Sequence, residues 1–265
     1  MIYQMGKVGS TSLFKSLRKA DSAFEVYHCH ALTKRGINDI EEAYRSNLFR
    51  KGTVHEHLIH SQYLRQRLNT QDDDQRWKII TLVRDPVARE VSAFFQQLYA
   101  MYSYSVENEL KNKSKEKVAE ELRELFLHKF SSYQENNKNW FNSTLNWFDI
   151  ELKQVFEIDV FSEEFHKTRG YQIYKAKNAD ILLVKLEKIN LVSPRAIEEL
   201  LGITDFKVEK SNVSSSKRYN EAYSIFKERV SLPPKYLKKM YSSKLSSHFY
   251  DQEELSKFRS KWLVE

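Results

Sequence analysis

Cysteine is nearly missing from this chain: Cys29 is the only one in 265 residues. A single thiol excludes an internal disulfide framework and suits a reducing compartment. Proline and glycine are scarce as well, at 4 and 6 residues, which excludes collagen-like and low-complexity architectures. No apolar stretch reaches the length that spans a bilayer, and no basic-then-apolar leader precedes the first motif. These absences together read as a cytoplasmic protein. The very short first strand leaves room for a natural start upstream. No internal repeat is evident.

What is present is rings and charge. Aromatic residues make up 13% and charged residues 30% of the chain, the composition of a globular protein and not of a disordered tail. The length allows a substantial core, and we expect a single domain over residues 1–265. The formal net charge of +7 points to anionic ligands: phosphate or sulfate esters, acidic glycans, nucleic acid or a membrane surface. Basic residues are interspersed with acids throughout and no nucleic-acid recognition motif appears, so nucleic acid is not the expected partner.

Strand-like and helix-like segments alternate. Met1–Met5 is a short apolar run, and Leu13, Phe14 and Leu17 then recur at helical spacing. "FEVYHCHAL" (24–32) and "TVHEHLI" (53–59) read as strands, and "GINDIEEAYRSNLF" and "SQYLRQRL" as helices. "WKIITLV" (77–83) contains the continuous apolar run of a strand buried on both faces of a parallel sheet. Asp85-Pro86 caps and starts a helix with an apolar stripe of Val87, Val91, Phe94, Phe95 and Leu98. The pattern predicts an α/β fold, a P-loop-type parallel sheet flanked by helices. A helical insertion is expected at about 105–161, where a charged run gives way to an aromatic one. "GYQIYKAKNAD" should pair as a hairpin with "ILLVKLEKI" (181–189), and the C-terminal region is mostly short helices, one of them started by Pro233-Pro234.

"QMGKVGSTSL" (4–13) has the ingredients of a phosphate-binding loop in the wrong order for a Walker A motif, since Lys7 precedes the second glycine. The physical essentials are kept. Gly9 permits a tight turn and a close approach to an anion, and Ser10, Thr11 and Ser12 put hydroxyls and N–H groups at a helix N-terminus. Lys7 adds a mobile full charge. Further on, "TLVRDPVAREVSAFF" puts Arg84 at a strand's carboxyl end, where open α/β sheets bind ligands, and Ser92 two turns into the next helix. Ser92, Arg89 and Gln96 are expected on a face different from the apolar stripe. An arginine fork with a helix hydroxyl suits a phosphate monoester.

The pair "GKVGSTSL" and "RDPVAREVSAFF" resembles the two nucleotide motifs of sulfotransferases that use 3′-phosphoadenosine 5′-phosphosulfate (PAPS) and release 3′,5′-adenosine bisphosphate (PAP). The second motif is most similar to that of carbohydrate sulfotransferases, and Asn139–Ser143 with the general layout resembles bacterial capsular polysaccharide synthesis proteins. The motifs cover about a tenth of the chain. The resemblance implies that Gly6, Lys7, Gly9, Ser10, Thr11 and Ser12 hold the 5′-phosphosulfate, with Lys7 assisting the leaving phosphate. Arg84 and Ser92 would hold the 3′-phosphate, and the late polar loop 210–220, through Ser214 and Lys217 and more weakly Asn212, would close over the nucleotide. No metal is implied. "VHEHLI" resembles the H-x-H-V segment of uronyl 2-O-sulfotransferases, which favours His57 as base with His55 beside it; His28 and His30 rank second. The implied acceptor is a carbohydrate hydroxyl, on an acidic glycan or a neutral one, in bacterial surface or capsular polysaccharide synthesis. Two other readings compete: a P-loop kinase or nucleotide triphosphatase, and a protein that binds nucleic acid through the phosphate backbone.

Overall fold

The structure is a computed structural model that describes residues 1–20, 25–45, 56–70, 76–101, 105–136, 144–209 and 219–263. In chain order the elements are β1 (Ile2–Tyr3), α1 (Ser10–Ala20), β2 (His28–Cys29), α2 (Lys34–Arg45), α3 (Glu56–Thr70), β3 (Trp77–Val83) and α4 (Pro86–Met101). There follow α5 (Val106–Leu110), α6 (Lys115–Asn136), a π-helical turn at Phe148–Leu152, α7 (Lys153–Phe156), β4 (Tyr171–Lys175) and β5 (Ala179–Lys185). A 3₁₀ turn at Leu186–Lys188 leads into α8 (Ile189–Leu201), and the chain ends in α9 (Asn220–Arg229), α10 (Pro234–Tyr241), α11 (Lys244–Phe249) and α12 (Gln252–Ser260).

The strands form one sheet in the order β2-β1-β3-β5-β4. All neighbours are parallel except β4, which runs antiparallel to β5 as the expected hairpin. This is the mixed α/β architecture expected from the alternating pattern. β3 and β5 pair along their whole length, from Trp77 opposite Ala179 to Val83 opposite Lys185. Both are buried through the middle of the sheet, which explains their unbroken apolar runs. The stripe foreseen on α4, Val87, Val91, Phe94, Phe95 and Leu98, is buried in the core, as are Leu13, Phe14 and Leu17 of α1.

Two segments differ from the sequence reading. Of the strand expected at 24–32, the described residues 25–32 supply only the two-residue strand β2, because the partner it pairs with, β1, is itself only Ile2–Tyr3. The expected strand at 53–59 is a helix from Glu56 onward, so His57 sits in the first turn of α3. Topology accounts for this. β2 and β3 lie on either side of β1, all three parallel, and parallel strands need a crossover that α2 and α3 provide. Leu58, Ser61 and Leu64 are the buried positions of α3, at helical and not alternating spacing.

The order of β2, β1 and β3 also creates a switch point. From β1 the chain moves to one side, to β2, and then crosses to the other side, to β3. The loops that leave the carboxyl ends of β1 and β3 therefore diverge and leave a crevice between them, the position where open α/β sheets take their ligands. α1 and α3 cover the face that carries His28, whose ring meets Phe14, itself in contact with His60. Trp147 and Phe156 cover the opposite face, packed on Tyr3 at ring-centroid distances of 4.9 and 6.0 Å. The described part of the aromatic half of the middle segment is thus part of the core, with Trp147, Phe148, Leu152 and Phe156 all buried.

Candidate active site

The loop between β1 and α1 has an unusual backbone. Lys7 and Gly9 both adopt positive φ, 72° and 88°. Glycine does this at no steric cost, whereas a lysine does so only when its surroundings hold it there. The surroundings are two arginines. Arg89 Nε donates to the Gly6 carbonyl at 3.0 Å, and Arg84 Nη1 donates to the Lys7 carbonyl at 2.8 Å. In a trans peptide the C=O and the following N–H point in opposite directions. Pulling these two carbonyls toward the arginines therefore turns the N–H groups of Lys7 and Val8 the other way. N–H groups curled by left-handed residues in this manner form an anion-binding concavity. The α1 N-terminus follows directly, with no acidic residue in its first turn. Ser10 is buried there, and Thr11 and Ser12 are half-buried.

The neighbouring strand ends close the loop from the side. An ideal Cβ built on Gly9 would lie 2.5 Å from Leu186 Cδ1, in the 3₁₀ turn after β5. Asp85 caps α4 as expected, accepting from the backbone N–H groups of Val87 and Ala88 at 3.0 and 3.3 Å. Its own N–H donates to Glu187 Oε1 at 2.7 Å, which joins the ends of β3 and β5. Tyr241 donates to Asp85 at 3.1 Å and Tyr250 to Glu187 at 3.1 Å. Burial pushes both carboxyl groups above the usual carboxylate range. The bond to Lys7 uses one of the five guanidinium N–H donors of Arg84, a half-buried side chain. Ser92 is half-buried two turns into α4. Arg89, expected on a face different from the apolar stripe, is 2% exposed, and its second partners are Thr144 Oγ1 at 3.0 Å and Glu90 at 3.1 Å. A buried guanidinium persists because each of these acceptors offsets lost hydration.

Histidines gather at the end of β2. The His30 ring is 4.7 Å from that of His57 and 4.8 Å from that of His28. His30 Nδ1 lies 2.9 Å from the Gln4 carbonyl oxygen. A carbonyl accepts only, so Nδ1 carries the proton and Nε2 keeps its lone pair. Burial, with Arg89 and Lys7 as nearby positive charges, lowers the His30 pKa to about 4, partly opposed by the Gln4 bond. His28 is pushed lower, to about 2, by burial and by its neighbours His30 and His60. His60 faces the other way, with Nδ1 against the His28 backbone. The structure thus brings His30, His57 and the loop together, and it places His57 on a helix instead of the expected strand. His55, Ser214, Lys217 and Asn212 lie outside the described residues. Among the described residues no group of His, Cys, Asp or Glu is arranged to hold a metal ion.

Comparison with known families supplies the family. The model described as "Sulfotransferase family" matches residues 2–173. The chain belongs to that family. Its matched part includes the loop, the histidines, Arg84, Arg89, Ser92 and the aromatic segment through Phe156. A second model, described as "Putative capsular polysaccharide synthesis protein", matches residues 123–251 and overlaps the first across the end of the middle segment and β4. No curated protein and no solved structure matches this sulfotransferase.

The loop contact can be tested directly. Gly9→Ala should destabilise the protein by about 1–3 kcal/mol, through its positive φ and the approach of Leu186. In the Gly9→Ala background, Leu186→Ala should cost less in chemical denaturation than it does alone. Equal costs in the two backgrounds would mean that the two residues do not meet.

Proposed function

We propose that this sulfotransferase moves a sulfuryl group from PAPS to a hydroxyl of a carbohydrate, in the synthesis of a bacterial surface polysaccharide. The observation that supports the donor is the meeting of two anion-favouring elements in one crevice. One is the curled loop and α1 N-terminus after β1; the other is Arg84 after β3, in direct contact with that loop. Two such elements suit a ligand with a phosphate at each end. The description of the family matched by residues 123–251 supports the polysaccharide setting. The single cysteine, Cys29, is free and buried, in keeping with the reducing, cytoplasmic setting we assign to the reaction.

In this reading the residues share the work by position. Gly6, Gly9 and the N–H groups and hydroxyls of Ser10, Thr11 and Ser12 hold the 5′-phosphate. Arg84 and Ser92 hold the 3′-phosphate. Lys7 stands where negative charge grows on the departing phosphate, so its contribution increases in the transition state. The bond from sulfur to the acceptor oxygen forms as the bond from sulfur to the 5′-phosphate oxygen breaks. The acceptor proton goes to His30 Nε2, the ring nitrogen whose lone pair is left by the Gln4 bond. We assign His57 a supporting place beside that ring, in exchange for the role of base that the H-x-H resemblance favoured. Ser214 and Lys217 carry no part of this reading.

The donor half is tested without an acceptor. A ligand that binds only the folded state raises the melting temperature with the logarithm of its concentration over Kd. PAP should stabilise the protein without magnesium, and magnesium ATP should do so far less. Ser92→Ala and Arg84→Ala should each remove most of the advantage of PAP over adenosine 5′-monophosphate, which lacks the 3′ group. A preference for magnesium ATP would replace this reading with a kinase.

The acceptor half has a pH signature. A base must be unprotonated, and His30 is held to about 4, so transfer from radiolabelled PAPS to capsular polysaccharide should persist well below neutral pH. The loss should come only as pH falls toward that value, because kcat/KM reports the free enzyme's base. His30→Ala should lower turnover by roughly 10²–10⁴-fold while PAP binding stays within a few-fold. Near-normal turnover in that variant, with a collapse in His57→Ala, would return the role to His57.

A further inference from the structure

Outside the residues that the proposed reaction uses, one short stretch makes contact with both halves of the crevice. Thr144, Trp147 and Glu151 are buried, at 3%, 0% and 0% exposure. Thr144 Oγ1 accepts from Arg89 Nη1 at 3.0 Å and donates to Glu90. Arg89 in turn holds the Gly6 carbonyl. Trp147 Nε1 donates to the backbone oxygen of His30 at 3.1 Å. Glu151 accepts from the N–H groups of Leu32 and Thr33 at 2.8 and 3.1 Å, from Thr33 Oγ1 at 2.6 Å, and from the Tyr3 hydroxyl. Every polar group named here is paired, on elements that lie far apart in sequence.

We propose that the segment Thr144–Glu151 is a brace that positions the two halves of the site together: Thr144 sets the donor loop through Arg89, and Trp147 and Glu151 set the His30–Thr33 segment. This rests on the reading of the loop as the donor site and of His30 as the base. The physical argument is one of over-determination. The left-handed Lys7 persists only if its neighbours hold it, and Arg89 can hold Gly6 only while its own buried charge is satisfied. Removing one acceptor from a buried guanidinium leaves a donor unpaired, which costs more than the bond contributed. The His30 ring is fixed at Nδ1 by Gln4 and at its backbone by Trp147, so its Nε2 is aimed by two elements at once. A π-helical turn, an uncommon conformation that recurs at functional sites, overlaps the end of the brace at Phe148–Leu152. Phe148 anchors it from the far side, 5.5 Å ring to ring from Phe249 of α11. Thr144, Trp147 and Glu151 are positioning residues in this account: none needs to touch a substrate.

The test compares Thr144→Val, Thr144→Ser and Trp147→Phe with the parent in two measurements. The first is peptide-resolved amide hydrogen exchange on ligand-free protein. Thr144→Val should speed exchange at residues 6–11 by about tenfold, and Trp147→Phe should do the same at residues 30–33, with β3 unchanged in both. The second is PAP affinity, which should fall about tenfold in Thr144→Val, return in Thr144→Ser, and change little in Trp147→Phe. Unchanged exchange in the loop, or a matching rise in β3 that marks general destabilisation, would overturn the brace. Failure of the parent to bind PAP would overturn the donor reading instead, and the exchange measurement would still judge the brace by itself.

Discussion

Two carbonyl oxygens, on Gly6 and Lys7, are each claimed by an arginine from the far side of the crevice, and most of the site depends on those bonds. They keep Lys7 in a left-handed conformation, turn the adjacent N–H groups the other way, and fix the entry to α1. Both arginines come from the end of β3 and the helix after it, so the register of β1 against β3 becomes the geometry of the loop. A strand pair with Ile2 opposite Ile80 is thereby enough to place a lysine. The same bonds bring two guanidinium groups to the loop: Arg84 is half-buried, and Arg89 is buried and paired with Glu90.

That charge is set in a frame of buried polar groups. Asp85 and Glu187, next to each other at the ends of β3 and β5, are hydrogen-bonded to backbone N–H groups and to tyrosines. Burial pushes both carboxyl groups above the usual carboxylate range, while the hydrogen bonds from backbone and tyrosines act the other way. Burial disfavours the charged form of His30 as well. Burial and the nearby cations keep its ring neutral at physiological pH, the state a proton acceptor needs. In the proposed reading, the environment that suits an anionic ligand also suits an unprotonated base.

Much of this was legible before any coordinates. β3 and β5 announced themselves because a strand buried on both faces needs an unbroken apolar run, and α4 because its cap and its stripe agree. The loop was legible because glycine, lysine and hydroxyl residues at a strand–helix junction have few other uses. The misreadings have physical causes. Arg89 is polar and off the apolar stripe, and nothing local says that it is buried against the Gly6 carbonyl in the loop after β1. Nothing local singles out Glu151, since its partners Tyr3, Leu32 and Thr33 are distant in sequence. "VHEHLI" alternates as a strand does, and only the need for a crossover from β2 to β3 makes its later part a helix. Tertiary hydrogen bonds leave no periodicity, and it is those bonds that assemble this site.

The most direct test of the central claim, that the crevice between the ends of β1 and β3 is the donor site, is an experimental structure with PAP bound. The 5′-phosphate should lie against the N–H groups from Lys7 to Ser12, and the 3′-phosphate within hydrogen-bond reach of Arg84 and Ser92, with the carbonyl bonds to both arginines intact. A bisphosphate bound away from these strand ends, or a 3′-phosphate that touches neither Arg84 nor Ser92, would contradict the account.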